Sequence, residues 1–335
     1  MRISPFDTLG KALARYFADP RLRQLFGRYA TYCGSSPYLA PATLMLVAHV
    51  ERDGVWLVEG GMYRLVEALA ALAAERGVQI RCNADVADIE VLAGRASAIK
   101  LADGERIPAD AIVVNADPAA LPQKFFGPAV ARAVPDVPQK HRSQSAVTWA
   151  IHARTQNFPL SRHNVFFSAD YKAEFIDVFE RGRPPASPTV YVCAQDRNEA
   201  DAAPEGPERL LVLINAPADG DHKTPSAQEI DQWTRQTFSH LEACGLRIDL
   251  SGAASRTVTT AQDFNRLFPA TGGALYGQAV HGSMATFRRP GARTKIPGLY
   301  LAGGATHPGA GVPMAALSGR LAAARIIADG VSTSR

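Results

Sequence analysis

The sequence lacks the residue groupings that announce several common chemistries. Its four cysteines, Cys33, Cys82, Cys193 and Cys244, lie far apart and form neither CxxC nor a zinc-ligand spacing, which argues against a structural zinc site and favours a reducing compartment. The eight histidines are dispersed, so no metal site is expected. GxSxG, HExxH and GxxxxGK are all absent, which removes nucleophile-elbow hydrolases, zinc peptidases and P-loop enzymes. No apolar run approaches the roughly 20 residues of a bilayer span, and residues 1–10 lack the apolar stretch of a signal peptide, so neither a membrane crossing nor export is expected. The most apolar stretch, 39–50, is short and contains Pro41, and reads as buried or interfacial. The net charge of +4 comes from scattered residues, so no nucleic-acid partner is expected, although a weak attraction to anionic lipid is permitted. Repeats and low-complexity tracts are missing as well.

What remains is ordinary for a folded protein: 335 residues, 47% apolar and 20% charged, enough for one large core or two moderate ones. Leu9, Leu13, Tyr16 and Phe17, then Leu22, Leu25, Phe26 and Tyr29 after Pro20, predict two short helices, and 41–50 a third. Residues 55–58 read as a strand closed by Gly60-Gly61. Leu65, Leu69 and Leu72 mark a helix ending near Gly77, and Val78, Ile80 and Cys82 alternate as another strand. Short strands from Val86 through the Asp103-Gly104 hairpin signal form a β-meander before the buried strand Ile112-Val113-Val114. Strands near 147–153, 165–167, 190–193 and 210–215 and a helix over 226–244 predict a second, mixed unit. A last strand and helix after Pro297-Gly298 return to the first unit, which makes the two interleaved. The fold class expected is α/β with mixed α+β character.

The stretch 299–327 is the most informative. Leu299, Tyr300 and Leu301 form a buried strand, Gly303 and Gly304 end it, and Pro313 suits a first helical residue. Leu317, Leu321, Ala324 and Ile327 recur at helical spacing, while Ser318 and Gly319 are small enough to admit a backbone or a flat ligand. Amides at such a helix start suit an anion, a phosphate or an electron-rich ring, although a plain tight connection has the same outline. The full string Thr306-His307-Pro308-Gly309-Ala310-Gly311-Val312-Pro313 goes further: it resembles the C-terminal flavin-binding signature of the phytoene desaturase family of carotenoid oxidoreductases.

That resemblance covers nearly the whole chain. Ser4-Pro5-Phe6, residues 22–27, Arg28-Tyr29-Ala30-Thr31-Tyr32 and Gly34-Ser35-Ser36-Pro37 look like the segment before the family's substrate-facing GG helix. Val55-Trp56 and Gly60-Gly61-Met62 match that motif, and Asp110 to Asp117 resembles the strand that returns toward the flavin. RYATYCGSSPYLAP is most similar to bacterial hydroxycarotenoid 3,4-desaturases, also called methoxyneurosporene dehydrogenases. The resemblance implies FAD-dependent desaturation of an acyclic (hydroxy)carotenoid, with hydride transfer to the flavin and loss of a proton from the neighbouring carbon. It implies a division into a helical, substrate- and membrane-facing segment (1–58), part of an FAD-binding Rossmann-like domain with the meander (59–118), a mixed-sheet substrate domain (119–296) and a C-terminal FAD-binding strand and helix (297–330).

By the same resemblance the cofactor residues are Val86, Gly303, Gly304, Thr306, His307, Pro308, Gly309, Gly311, Val312 and Pro313, with Val86 reaching the adenine through its backbone. Tyr29, Tyr32, Trp56, Gly60, Gly61 and Met62 are the substrate residues, and Phe166 and Phe167 are further candidates for an apolar tunnel; plain core packing is the alternative for each aromatic. A cytoplasmic protein held peripherally on the inner membrane face through the helices of 6–26 follows from the lipophilic polyene substrate. One departure matters: full-length members begin with GxGxxG, which this sequence lacks. A missing N-terminal segment, or a second polypeptide that supplies it, is therefore expected, and FAD binding by this chain alone is left open. An inactive remnant that binds an apolar ligand or partner, and a related flavoenzyme such as a carotenoid isomerase, a polyene saturase or an amine oxidase, stay as alternatives.

Overall fold

The computed structural model describes residues 4, 6–197, 202–251 and 255–330; Pro5 of the Ser4-Pro5-Phe6 passage lies outside them. Local capping explains the N-terminal helices. Helix α1 (Leu9–Tyr16) begins where the Thr8 hydroxyl accepts the Lys11 N–H, and α2 (Pro20–Gly27) where Asp19 accepts the Arg21 N–H and Pro20 occupies the first turn. The 3-10 stretch Arg28–Cys33 follows and ends at Gly34, whose φ of 60° turns the chain; a Cβ there would come within 2.6 Å of Ser143 Cβ. Leu9, Leu13, Ala30 and Ala40 bury to tie these pieces together. The helix expected over 41–50 forms as a 3-10 turn, Ala42–Met45, followed by α3 (Leu46–Arg52).

Helix α4 (Tyr63–Glu75) lies where its leucines place it. The strands expected on either side do not form: 55–58 and 78–82 are irregular, and Val55, Trp56, Val78 and Ile80 are exposed. A strand needs a ladder partner for its amides and carbonyls, and none of the described strands pairs with either stretch. The meander forms as β1 (Val86–Leu92), β2 (Arg95–Leu101) and β3 (Arg106–Pro108), all antiparallel, and β4 (Ile112–Val114) leaves it.

The larger sheet has the order β11-β5-β9-β8-β7, built from β5 (Ser145–Ala153), β7 (His163–Phe166), β8 (Val190–Ala194), β9 (Glu208–Ala216) and β11 (Ser255–Thr259). A separate small antiparallel pair is formed by β6 (Thr155–Gln156) with β10 (Arg247–Ile248). Helix α5 (Tyr171–Phe179) starts at Asp170, which accepts the Ala173 N–H. Helix α6 (Ala227–Ala243) starts at a reciprocal Ser226–Glu229 capping box, and α7 (Ala261–Leu267) at Thr260 and Asp263. Val147, Trp149, Ile151, Val192, Val212 and Ile214 alternate inward on the sheet, and Trp233, Phe238 and Leu241 of α6 cover them. The buried Trp149 ring donates its N–H to the Thr234 hydroxyl at 3.0 Å, which removes the cost of burying it.

Strand β12 (Leu299–Leu301) then pairs in parallel with β4, Leu299 opposite Ile112 and Leu301 opposite Val114, and leads into α8 (Val312–Ala328). Pro313 is the second helical residue rather than the first, Val312 preceding it; neither position requires an N–H. Ile112, Val114, Leu299 and Leu301 pack with Ile89, Leu121 and Val130 into a second core. The fold is mixed, with helices, antiparallel sheets and one parallel pair.

Candidate cofactor and substrate site

Parallel pairing of β4 and β12 brings both strand ends to the same edge, so 115–117 and 303–305 lie side by side. The Asn115 amide donates to the Ala302 carbonyl at 3.1 Å. Gly303 adopts φ 122°, and a Cβ there would sit 2.8 Å from Asn115 Nδ2, so both conformation and space require glycine. Below the loop, Ser318 Oγ accepts the Gly303 N–H at 3.0 Å and lies 2.6 Å from Thr306 Oγ1, which itself donates to the Gly303 carbonyl at 2.7 Å. From the other side the buried Arg289 guanidinium donates to the carbonyls of Gly304 at 3.2 Å and Gln278 at 2.7 Å. Burial pulls the Arg289 pKa below the usual guanidinium value.

A cleft of about 470 Å³ opens beside this loop. Val86, Asn115, Asp117, Tyr276, Gly304 and Ala305 are among the residues that line it, with Phe264, Phe268 and Phe126 supplying apolar wall. Two of the sequence-predicted cofactor residues thus meet there, Val86 from β1 and Gly304 from the loop. The others take different places. Gly303 and Thr306 are buried behind the cleft as braces, and the His307 N–H donates to the Pro290 carbonyl at 2.9 Å while its ring is exposed. Pro308 follows a cis peptide bond, Gly309 packs against the Arg289 side chain, and Gly311, Val312 and Pro313 are exposed at the start of α8. That helix start carries no side-chain cap, so its amides face outward unpaired by side chains.

Asp117, read from the sequence only as part of a returning strand, is a carboxyl that lines the cleft. Burial pushes its pKa up, while the Ala119 N–H, which it accepts at 2.9 Å, and the charges of Arg289 and Arg142 oppose that. Such a group can take up a proton near the cleft. The signal that could have marked it was its position directly after a buried strand end, where open α/β sheets place their functional side chains.

The residues expected from the sequence to meet substrate divide. Tyr29 and Tyr32 form an edge-to-face pair with centroids 5.5 Å apart, and the Tyr29 hydroxyl donates to Glu51 at 2.6 Å. Trp56 (80% exposed), Gly60, Gly61 and Met62 belong to the exposed stretch before α4. Gly60 and Gly61 hold φ of 75° and 92°, a turn only glycine takes freely. Phe166 is core: it packs on Phe158 at 5.1 Å inside the larger sheet. Phe167 packs edge-to-face on Tyr171 at 5.7 Å. Among the described residues no cluster of His, Cys, Asp and Glu could hold a metal ion, and no helix is long and apolar enough to cross a membrane.

Comparison with known proteins places the chain in a family. The chain is 53% identical over its whole length to a hydroxyneurosporene desaturase of Rubrivivax gelatinosus, of which it covers 64%. It is 33% identical over 92% of its length to a 1-hydroxycarotenoid 3,4-desaturase of Flavobacterium, of which it covers 62%. The chain therefore spans a little under two thirds of the length of these relatives. A crystal structure of an oxidoreductase from Methanosarcina mazei superposes with a TM-score of 0.58 at 15% identity, covering 96% of this chain and 68% of that one, which shows the shared fold. The profile of the family described as flavin containing amine oxidoreductase matches residues 5–327, so the chain belongs to that family, on its carotenoid desaturase branch and close to the hydroxycarotenoid desaturases.

Proposed function

We propose that this chain forms the flavin-ring and substrate portion of an FAD-dependent desaturase acting on an acyclic hydroxylated carotenoid. The observation that carries the reading is the cleft in which Val86 and Gly304, more than two hundred positions apart, meet beside a loop of bare backbone. Gly303, Gly309 and Gly311 hold φ of 122°, 137° and 113°, and the uncapped start of α8 leaves amides for an electron-rich ring edge, so the residues present suit the ring end of a flavin. When bound, the flavin supplies the two-electron acceptor that desaturation requires. The chain itself holds the loop rigid through Ser318, Thr306 and Arg289, walls the cleft with aromatic side chains against water, and places Asp117 where a proton can be taken up.

The pyrophosphate end is a different matter, since the sequence has no GxGxxG turn. We infer that a further polypeptide portion, joined to this chain or separate, completes the cofactor site and covers the exposed apolar stretch from Val55 to Ile80. Exposed Tyr16, Leu22 and Leu25 on the N-terminal helices, and Phe6 just before them, support peripheral contact with a membrane, where a lipophilic polyene is found. The test is to titrate the purified chain with FAD, with and without the first third of the Rubrivivax relative, in liposomes loaded with an acyclic hydroxylated carotenoid. Flavin uptake and a new conjugated double bond only when both parts are present is the expected outcome. Amine turnover, or no desaturation by the complete pair, would overturn the reading.

A further inference from the structure

Arg28 opens the 3-10 stretch after α2 and is half-buried, its side chain directed at the larger sheet. The guanidinium carbon stands 5.8 Å from the centroid of the Tyr191 ring on β8, within cation–π range. Its charge also acts on Tyr32, on Tyr276 and on the buried hydroxyl of Tyr171, which lies against it. Among the described residues it forms no ion pair, and the acid that senses its charge, Glu174, is itself buried and held by Asn215 and the Thr189 N–H. Tyr276 links this ring of phenols to the cleft: it is a wall residue beside Gly304 and Ala305, and it packs against Gly34 at the other end of the same 3-10 stretch.

A partly desolvated cation among phenols, with its nearest acid, Glu174, already held by other donors and no ion pair of its own among the described residues, keeps unused hydrogen-bonding capacity. Its charge reaches Tyr276, which lines the cleft. The inference rests on the desaturase reading. An acyclic polyene is apolar except at its end group, and in a 1-hydroxylated substrate reacting at its 3,4 bond the hydroxyl carbon is only two bonds from the reacting carbon. The group that recognises this hydroxyl must therefore stand beside the flavin-ring end of the cleft, not at the far end of a tunnel. Tyr276 meets that requirement as a wall residue beside Gly304, and Arg28, whose charge reaches Tyr276, stands behind it.

We propose that Arg28, with the hydroxyls of Tyr171 and Tyr276, forms the subsite that recognises the end-group hydroxyl of the substrate. The guanidinium donates to the hydroxyl oxygen, and a phenol oxygen accepts the hydroxyl proton. A polyene without the hydroxyl would leave the guanidinium desolvated and unanswered, so the subsite discriminates by penalising the wrong ligand as well as by holding the right one.

The test uses the whole chain in detergent micelles, with a 1-hydroxylated acyclic carotenoid and the same carotenoid lacking the hydroxyl, affinity being read from quenching of tryptophan fluorescence. Flavin is not needed for this readout. The wild type is expected to prefer the hydroxylated ligand by roughly 10- to 100-fold, the range for a hydrogen bond to a charged group. In Arg28→Met, and in Arg28→Gln, which keeps a polar head without the charge, the two affinities converge to within about twofold. A general loss of packing would lower both affinities together and leave the ratio standing. Equal wild-type affinities, or a ratio that survives both substitutions, would overturn the subsite while leaving the desaturase reading intact. Failure of the wild type to bind either polyene would overturn the subsite, while the desaturase reading stands or falls by the flavin and desaturation test of the complete pair.

Discussion

His281 stands in the loop that follows Tyr276, with its ring edge-on to Phe179 at 4.7 Å, and its Nε2 accepts the Ser36 N–H at 3.0 Å. That bond requires the neutral imidazole. Burial, with a smaller contribution from His141, lowers the His281 pKa to about 4, whereas an unfolded histidine titrates near 6.5. Because the folded value lies below the unfolded one, the contribution to stability is complete above pH 6.5 and declines as pH falls toward 4, where the unfolded chain binds the proton first. Urea unfolding of the wild type and of His281→Gln, compared at each pH, is expected to give a difference that is flat above pH 7 and shrinks by roughly 2 to 3 kcal/mol between pH 6.5 and 4. A difference that stays constant over that window would show the ring to be protonated or exposed in the folded protein. Nothing in the sequence marked His281, because its neutral state depends on Phe179 and Ser36, which are distant in the chain. The same limit applies to Arg28, quoted in the sequence only as part of a motif.

At the scale of elements, legibility followed whether the deciding contacts were local. Helix α6 was readable because its capping box and apolar face lie within its own residues, and the meander because the Asp103-Gly104 turn and the alternation around it are contiguous. The strands expected at 55–58 and 78–82 failed for the opposite reason: an apolar run at one and alternation at the other were present, but a ladder partner is not a local property. Helices α5 and α7 went unread because each is short and its cap, Asp170 or Thr260, resembles an ordinary turn residue. In the β12–loop–α8 unit the glycines were legible and the clamp was not. Ser318 reads as one small residue in a helix, yet its hydroxyl closes a buried triangle with Gly303 and Thr306. Ser318→Ala leaves the Gly303 N–H and the Thr306 hydroxyl each short of a partner, so a loss of about 1 to 3 kcal/mol is expected in denaturant unfolding. Added Thr306→Val should cost less than the sum of the two single substitutions, since the remaining partner is already orphaned. Strict additivity would mean that the triangle is not a coupled unit.

For the whole molecule, the distribution of apolar surface is uneven. The core on the larger sheet is covered, with Trp149, Leu210 and Leu241 fully withdrawn from water, while Leu65, Leu69 and Leu72 on α4 are all exposed, as are Trp56 and Ile80. An amphipathic helix stabilises a fold by burying that leucine face, and an uncovered face of this extent is an association surface. The chain alone should therefore self-associate and bind the dye ANS. Leu65→Gln, Leu69→Lys and Leu72→Gln together should suppress both, measured by sedimentation velocity and dye fluorescence. Because these side chains are exposed in the folded chain, thermal stability should move by no more than about 0.5 kcal/mol per substitution, the range for surface changes. A large fall in stability would place the leucines in a core of this chain, and unchanged association would assign it to the exposed N-terminal helices instead. If the triple variant stays monomeric but no longer gains flavin when the first third of the Rubrivivax relative is supplied, the leucine face is the surface on which the cofactor site is completed.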